Sequence, residues 1–293
     1  MLSEGRYLLS HVGFSTTEKP VLIVQKNETF QTATILDFSG TLAFDMSERH
    51  CTGWHDIATG DNFICPDMEV VDAKYEQCSA CQKRTGFNPA FYNASSVSEQ
   101  QQQRNLEPHA LYLAYFGNNI IKVGITHAKR GHRRLLEQGA RSALVLDTFA
   151  TALIARQYEA QIAKLSGIAE TIQLRKKIEL LSVEWDNTTA EHTLLECRQR
   201  IEDDLKITFN GMKIEHFHDH YVNKPASSLT HVHDCTSQAL ISGDAIAVIG
   251  SLLLTTQNDT TLVLPLKKFI GYNMIFSHEQ TIVDVPAQQT SLF

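Results

Sequence analysis

The chain has 293 residues and a formal net charge of −7 at pH 7, and 43% of its residues are hydrophobic. This length is enough for about two domains with a sizeable core, which excludes a miniprotein held together by disulfides. The negative charge argues against non-specific binding of nucleic acid by the whole surface. The chain has no run of about 18 uncharged apolar residues, and its first residues lack a basic start before an apolar segment. We therefore expect a soluble, cytoplasmic protein with no membrane partner.

The sequence predicts a β-rich N-terminal part over residues 1–50. Short apolar runs, such as 20–25 and 30–44, are separated by proline, glycine or polar residues. Apolar runs of this length with such breaks are typical of strands joined by turns. We therefore expect a meander of strands ahead of the first cysteine.

Residues 51–94 form a predicted zinc-binding segment. Its four cysteines have the spacing C-x13-C-x12-C-x2-C, at Cys51, Cys65, Cys78 and Cys81. The close pair can place two thiolates on one tetrahedral ion, and the distant pair completes the coordination. Four thiolates leave no open position for water, so the expected zinc is structural. The alternatives are buried free thiols, a redox role for the close pair, or His50 or His55 in place of Cys65.

A core with the order β-β-α-β-α is predicted over residues 105–165. The polar stretch 95–104 has no apolar periodicity and is typical of a connector. The first two strands are joined by Gly-Asn-Asn, which favours a hairpin because these residues tolerate positive φ. The predicted elements are, in order, strands at 109–116 and 120–126, a basic helix ending near Gly139, a strand at 143–150 and a helix over 150–165.

Positive charge is concentrated in this core. Nine Lys or Arg residues stand against four acidic residues between Arg104 and Leu165, although the whole chain is acidic. A local basic excess is the electrostatic mark of a phosphate-binding surface, and a solvated helix face is the alternative. The residues expected to bind nucleic acid are Lys129, Arg130, Arg133 and Arg141.

One carboxylate in the last helix of the core has space around it. Glu159 shares a helix face with Ala152 and Ala155, seven and four residues earlier. A carboxylate that binds Mg²⁺ against a substrate phosphate, with an arginine and a phenol nearby, is a minimal set for phosphodiester cleavage. The alternative is a core Tyr112 and an exposed ion pair between Arg156 and Glu159.

Two short motifs make the core similar to the GIY-YIG nuclease core. ALY at 110–112 stands in the place of the first motif, and KVG at 122–124 stands in the place of the second. The sequence departs from the family pattern in three places: Ala110 replaces the first glycine, Lys122 replaces the second tyrosine, and no asparagine after Glu159 matches the late asparagine of the pattern.

The resemblance implies a set of catalytic residues and a catalytic metal. Tyr112 would help to activate the attacking water, and Arg134 or Arg133 would stabilise charge on the phosphate. Glu159 would hold Mg²⁺. Lys122 would contact a phosphate from the position of the second tyrosine.

Motifs across most of the chain also resemble an uncharacterised prokaryotic family, a domain of unknown function. The marks of that family are CTGW at 51–54, CSAC at 78–81, NPAF at 88–91, HALYLA at 109–114, KVGIT at 122–126, EQGA at 137–140 and the β-rich end.

Beyond the core the sequence predicts a helical connector at 166–206 and a C-terminal β-rich part at 207–293. Helices are expected at 168–183 and 189–205, with a capping box of Thr188 and Glu191. Cys197 lies on the apolar stripe of the second helix and is expected in the core. A Gln-Asn-Asp turn at 257–259 predicts a hairpin, and the last strands are expected to pack with the first.

Histidines are concentrated between residues 216 and 235. Five of the thirteen histidines lie there together with Cys235. In an extended chain His216, His218 and His220 would share one face that can bind a transition metal. A polar, histidine-rich loop is the alternative.

The sequence as a whole predicts an α+β fold, with a GIY-YIG-like core, a zinc-binding insertion and β-rich parts at both ends. The expected function is metal-dependent hydrolysis of nucleic-acid phosphodiesters, with structural Zn²⁺ and catalytic Mg²⁺. The alternatives are a catalytically inactive zinc-containing protein that binds DNA or RNA, and a module that binds other proteins.

Overall fold

The computed structural model of the chain is a mixed α/β fold and describes residues 2–57, 59–87, 97–222, 229 and 231–285. Its strands are β1 (Gly5–Phe14), β2 (Pro20–Lys26), β3 (Thr29–Thr34), β4 (Ser39–Asp45), β5 (Arg49–His50), β6 (Trp54–His55), β7 (Asn62–Phe63), β8 (Val70–Val71), β9 (His109–Tyr115), β10 (Ile121–His127), β11 (Ser142–Phe149), β12 (Ile168–Ala169), β13 (Ile214–His216), β14 (Val232–Asp234), β15 (Leu240–Ile249), β16 (Leu252–Gln257), β17 (Thr260–Pro265) and β18 (Asn273–Ser277). Its α-helices are α1 (Ser79–Thr85), α2 (Glu99–Asn105), α3 (Arg133–Gln138), α4 (Ala152–Ile162), α5 (Leu174–Glu179), α6 (Asn187–Leu205) and α7 (His218–Tyr221).

The two ends of the chain share one nine-stranded sheet, whose order is β14-β17-β16-β15-β4-β18-β1-β2-β3. Strand β4 lies between two C-terminal strands, since Leu42 pairs with Ile241 on one side and with Phe276 on the other. Apolar side chains from both ends, such as Leu9 and Leu253, meet in one buried core. The expectation that the C-terminal strands pack with the first strands is therefore confirmed.

A second sheet has five strands in the order β12-β10-β9-β11-β13. The elements β9, β10, α3, β11 and α4 follow one another in the predicted order β-β-α-β-α. The sheet continues beyond residue 165, because β12 pairs in parallel with β10 and β13 pairs with the far side of β11. Part of the segment expected to be a helical connector thus belongs to this sheet.

Strand β9 is buried on both faces and joins the two halves of the molecule. Leu111 and Leu113 pack with Leu194 of α6 on one face. Tyr112 and Ala114 point the other way, into a core shared with strands of the nine-stranded sheet. Because successive side chains of a strand alternate between faces, Tyr112 lies between the two sheets.

The predicted turns are present. Asn118 and Asn119 have φ of 49° and 58° between β9 and β10, and Asn258 and Asp259 have φ of 49° and 61° between β16 and β17. Two consecutive residues with positive φ are typical of tight hairpins, and Asn and Asp adopt that conformation more readily than most residues.

Three local predictions were wrong. The connector at 95–104 contains helix α2, whose first turn is capped by Ser98 Oγ, an acceptor for Gln101 N. Helix α6 begins after Asp186, which accepts hydrogen bonds from the amides of residues 188 and 189, so the capping box at Thr188 does not form. Glu159, which was expected to have space around it, lies on the buried face of α4 with Ala152, Ala155 and Ile162.

Other expectations have simpler outcomes. Cys197 lies on the buried face of α6 in the core, as expected. The NPAF motif lies outside the described residues. Within the described ranges, no helix is long and apolar enough to cross a membrane.

Candidate metal centre and phosphate site

The four cysteines of the predicted zinc segment lie together and are buried. The ligand atoms of Cys51, Cys65, Cys78 and Cys81 all lie within 4.8 Å of one another. No other group of three or more potential ligands is this compact in the part of the chain that the structure describes. Four sulfur ligands at this spacing suit a tetrahedral ion such as zinc. These cysteines can therefore hold a metal ion, and neither His50 nor His55 belongs to the group.

Backbone amides already point at the sulfur atoms of this group. Cys51 Sγ accepts from Gly53 N at 3.4 Å and from Cys78 N at 3.2 Å. Cys78 caps α1, because its Sγ accepts from Cys81 N at 3.5 Å. Such hydrogen bonds stabilise thiolates and orient ligands around an ion. Without an ion, burial raises the pKa of Cys51 to about 11, against the effect of these two amides.

Close backbone packing shapes the loop around Cys51. Gly53 has φ of 90°, and a Cβ there would lie 1.9 Å from the carbonyl oxygen of Phe63. Only glycine fits that conformation and that approach. Trp54 stacks on Phe63 with ring centroids 4.0 Å apart and packs against the cysteines. Trp54 is therefore part of the packing of the loops around the four cysteines.

Buried Arg49 attaches the cysteine segment to the nine-stranded sheet. Its Nε donates to the carbonyl of Ile270 at 2.8 Å, and its Nη1 donates to the carbonyl of Ala73. The backbone of His50 also donates to the carbonyl of Gly271 at 2.7 Å. Both the Arg49 side chain and the His50 amide therefore bind backbone carbonyls. The attachment of the cysteine segment depends on the correct fold of the loops that carry those carbonyls.

The phenol of Tyr112 is held in a fixed position between the sheets. Gly124 pairs with Tyr112 across the β9–β10 hairpin, and a Cβ at Gly124 would lie 2.4 Å from the phenol oxygen. Gln138 Nε2 donates to the same oxygen at 2.7 Å. The glycine of the KVG motif thus leaves room for the ring, and a glutamine from the end of α3 orients the hydroxyl.

Arg134 and Glu159 both act electrostatically on this phenol. Burial raises the pKa of Tyr112, the hydrogen bond from Gln138 and the charge of Arg134 lower it, and the charge of Glu159 raises it. The structure therefore brings Tyr112, Arg134 and Glu159 into one electrostatic neighbourhood, and it distinguishes Arg134 from Arg133.

Lys122 belongs to the same neighbourhood. Burial lowers its pKa, the charge of Glu159 raises it, and the charge of Arg134 lowers it. Its Nζ donates to the carbonyls of Val123 at 3.0 Å and Glu170 at 2.6 Å. The ammonium is thus held by two backbone carbonyl oxygens, and the charge of Glu159 is the main opposite charge that acts on it.

Glu159 is 6% exposed and forms an ion pair with Arg156, one turn earlier on α4. The predicted pair at positions i and i+3 is present but largely buried, because the side chains of Arg156 and Glu159 are 22% and 8% exposed. Arg156 Nη2 also lies 3.9 Å from Glu170 Oε1. The arginine therefore has a second carboxylate within reach.

The four residues expected to bind nucleic acid have different environments. Lys129 is exposed and lies 2.7 Å from Glu107, and Arg130 lies 2.5 Å from Glu137. Arg133 is half-buried and donates weakly to a carbonyl at 3.5 Å. These three side chains lie on the turn before α3 and on its first residue, where a polyanion can reach them.

Arg141 is not a surface contact, and its expected role in nucleic-acid binding was wrong. It is 5% exposed, and it donates to the carbonyl of Glu184 at 2.8 Å and to the carbonyl of Leu180. The ring of Trp185 lies 4.9 Å from the guanidinium. Burial lowers the pKa of Arg141 to about 10. The hydrogen bonds of its guanidinium hold the 180–185 turn against the start of β11.

We expect Arg141→Ala to destabilise the fold by roughly 3 kcal/mol, because it leaves two carbonyls without their charged donor. Urea unfolding followed by circular dichroism measures the change in the free energy of unfolding. Lys129→Ala is the surface control and should change that free energy by less than about 0.5 kcal/mol. Equal stability of the two variants would contradict the structural role of Arg141.

The histidines between 216 and 235 do not share a ligand face. His216 ends β13, where it contacts Ser142 at 2.9 Å and Glu191 at 2.9 Å. His218 and His220 lie in the short helix α7, so the extended geometry needed for a common face does not form. His220 instead lies 3.5 Å from Glu18. The shared metal-binding face that an extended chain would give is therefore absent among the described residues.

Two residues near Tyr112 and Glu159 have environments that were not predicted from the sequence. Gln138 lies within the EQGA motif, but nothing in the sequence connects it with Tyr112. Arg156 was treated as half of an exposed pair. Helical spacing alone did not reveal that α4 buries this side of its surface.

Comparison with known proteins gives one match. The family model described as a protein of unknown function (DUF2797) matches residues 71–274, which is more than half of the chain. No curated protein and no solved structure matches the chain. The matched range includes both strands of the Tyr112 hairpin and helix α4. The chain therefore belongs to the DUF2797 family of proteins of unknown function.

Proposed function

We propose that the chain is a metal-dependent hydrolase of nucleic-acid phosphodiesters. One observation carries the proposal: a phenol, two cations and a carboxylate, from Tyr112, Lys122, Arg134 and Glu159, act on one another electrostatically around the β9–β10 hairpin. Phosphoryl transfer needs charge stabilisation and positioning more than covalent chemistry, and these groups supply both. The resemblance of the β9–β10 hairpin to a GIY-YIG core gives the same assignment.

Each side chain has a role that follows from its environment. The hydroxyl of Tyr112, oriented by Gln138, positions the attacking water and accepts its hydrogen bond. Arg134 offsets the charge that develops on the phosphate, since no carboxylate lies within ion-pair distance of it among the described residues. Lys122 binds a non-bridging oxygen of the same phosphate.

A catalytic Mg²⁺ is compatible with these residues if Arg156 pairs with Glu170 and leaves Glu159. Mg²⁺ is commonly bound by one or two carboxylates, with substrate phosphate and water as its other ligands. Glu159 supplies one carboxylate, which is paired with Arg156. Arg156 can pair with Glu170 instead, and this exchange would leave Glu159 to hold the ion. The ion would supply positive charge at the scissile phosphate.

We assign structural zinc to the four cysteines. A closed set of four thiolates has no position for a reacting water. Its loops dock on the nine-stranded sheet through Arg49. The hydrogen bonds of Arg49 go to the carbonyls of Ile270 and Ala73 and do not involve Tyr112. The zinc therefore stabilises the segment and takes no part in the reaction.

The second candidate is a catalytically inactive zinc-containing protein that binds DNA or RNA. The burial of Glu159 and its ion pair with Arg156 favour it, because a carboxylate neutralised in this way binds Mg²⁺ poorly. This candidate keeps the cations of the site and predicts binding without Mg²⁺-dependent cleavage.

Cleavage of labelled single-stranded and double-stranded DNA and RNA with and without Mg²⁺ tests the proposal. We expect Tyr112→Phe to lower the cleavage rate by about a hundredfold, because the hydroxyl that positions the water is lost. The lost hydrogen bond from Gln138 should cost about 1 kcal/mol of stability, which leaves the protein folded.

Tyr115→Phe is the matched control for this experiment. Tyr115 lies on the same strand but packs in the core on the other face of the sheet. Its variant should cleave at the wild-type rate. Binding of nucleic acid by wild-type protein that shows no Mg²⁺-dependent cleavage of any substrate would favour the inactive binding protein instead.

A further inference from the structure

A basic cleft lies beside Tyr112, between the two sheets. Its volume is about 550 Å³ including its open mouth. One wall consists of Gln138 and the 172–177 segment, and the other is formed by β16 and by the turn after β17. Three lysines line it, together with apolar side chains: Lys177, Lys267, Lys268, Ile172, Leu174, Ile249, Leu252 and Pro265. The cleft therefore combines positive charge at its rim with an apolar floor.

The positive charge of Lys177 is held by a backbone carbonyl and not by a described carboxylate. Lys177 donates to the backbone carbonyl of Gln138 at 2.6 Å, and no described carboxylate lies within ion-pair distance of its ammonium. The charges that act on Lys177 all come from other cations, Lys267, Lys122 and Arg134. Burial together with these cations lowers the pKa of Lys177 to about 8.

Like charges held close together are unfavourable in the empty cleft. A cluster of cations with lowered pKa values does not stabilise the fold, so such a cluster indicates a site that binds an anion. An anion that enters the cleft would interact favourably with all of these ammonium groups at once. The charges of Glu137 and Glu76 act on Lys267, but Glu137 already lies 2.5 Å from Arg130.

The cleft is continuous with the proposed catalytic site. Gln138 lines the cleft and donates to the phenol of Tyr112 at 2.7 Å. Arg134 and Lys122 act on Lys177 as well as on Tyr112 or Glu159. A phosphate bound beside Tyr112 and a second phosphate bound in the cleft can therefore belong to neighbouring positions of one strand.

We propose that this cleft binds a nucleotide of single-stranded nucleic acid next to the cleaved phosphate, with its phosphate on Lys177 and Lys267 and its base on the apolar floor. This inference rests on the proposed function for the choice of a nucleic-acid ligand. Two walls and a volume of a few hundred cubic ångströms suit one nucleotide, whereas the full width of a duplex does not fit. Bases offer an apolar face whatever their identity, so the binding is independent of sequence.

Fluorescence anisotropy with labelled oligo(dT), oligo(U) and a duplex of equal length, without added Mg²⁺, tests this proposal. We expect Lys177→Gln and Lys267→Gln each to weaken single-strand binding by about tenfold at low salt. Each should also reduce the slope of log K against log salt by about 0.7, the value for one phosphate contact on a single strand. The duplex should bind more weakly than either single strand.

Lys176→Gln is the matched control. Lys176 precedes Lys177 on α5 but points to Glu179 at 3.3 Å, so its variant should bind like wild type. Lys267 has an exposed side chain, so Lys267→Gln keeps the test intact if Lys177→Gln fails to fold.

The outcomes separate this inference from the proposed hydrolase. Weaker binding by both lysine variants, with no Mg²⁺-dependent cleavage by wild type, supports the cleft and overturns the hydrolase. Cleavage by wild type with unchanged affinity in both variants overturns the cleft alone. A duplex that binds as tightly as the single strands overturns the single-strand assignment. Absence of binding to all three probes at low salt overturns the cleft as a nucleic-acid site.

Discussion

Replacing Glu159 by glutamine should lower Mg²⁺-dependent cleavage by roughly a thousandfold while the protein stays folded. Glutamine has nearly the shape of glutamate, so it fills the same buried position between Ala155 and Ile162. Its amide oxygen can still accept a hydrogen bond from Arg156. The substitution removes the negative charge that would hold Mg²⁺, and that loss should appear in the rate. Single-turnover cleavage over a series of Mg²⁺ concentrations measures it.

The matched control for this prediction is Glu179→Gln. Glu179 ends α5 and pairs on the surface with Arg175 at 3.2 Å and with Lys176 at 3.3 Å. Its variant should cleave at the wild-type rate. Thermal unfolding of both variants checks that they remain folded. If Glu159→Gln cleaves as fast as wild type, Glu159 does not hold a catalytic metal, and the binding-only candidate replaces the hydrolase.

Local chemistry made several features predictable from the sequence. Gly-Asn-Asn fixed the β9–β10 hairpin because Asn118 and Asn119 adopt positive φ with little strain. The cysteine spacing identified a compact group because two residues between Cys78 and Cys81 bring both sulfurs to one point. The small residues Ala152 and Ala155 do share a face of α4 with Glu159, but that face is buried and the carboxylate is paired with Arg156. Each of these signals acts within a few residues.

The pairing of strands that are far apart in the sequence was harder to predict. Strand β4 pairs with β15 and β18, so residue 42 meets residues 241 and 276. Alternating apolar runs predict that these strands exist, but many pairings would satisfy the same pattern. The basic cleft is a consequence of that pairing, because Lys177 and Lys267 are ninety positions apart in the chain and come together only when the sheets pack.

The arginine at 141 shows a second limit of sequence patterns. A charged residue in a basic segment usually lies on the surface. The sequence therefore favoured Arg141 as a contact with nucleic acid. Its partners are backbone carbonyls of residues 180 and 184, which carry no side-chain signal in the sequence. Backbone acceptors of this kind can satisfy a buried guanidinium without any acidic residue nearby.

The cysteine group should govern folding, and Cys78→Ser should show this effect most strongly. The expected loss is one bound zinc per chain and several kcal/mol of stability, because a structural zinc contributes its binding free energy to the folded state. Cys78 is the central ligand: its sulfur lies 4.0 Å from that of Cys65, and it also caps α1. Elemental analysis measures the metal, and thermal unfolding measures the stability.

Cys197→Ala provides the matched control, because it removes a buried thiol from the core beside α6 and not from the metal group. This variant should retain one zinc per chain, with a moderate loss of stability from the smaller side chain. Cys65→Ser tests the ligand set itself, since full metal content in that variant would mean that His50 or His55 completes the coordination. Full metal content in Cys78→Ser would contradict the metal centre.

Arg49 joins the cysteine loops to the sheet that also forms one wall of the basic cleft. Zinc loss should therefore weaken the fold of both regions, and any loss of cleavage should follow the loss of folded protein.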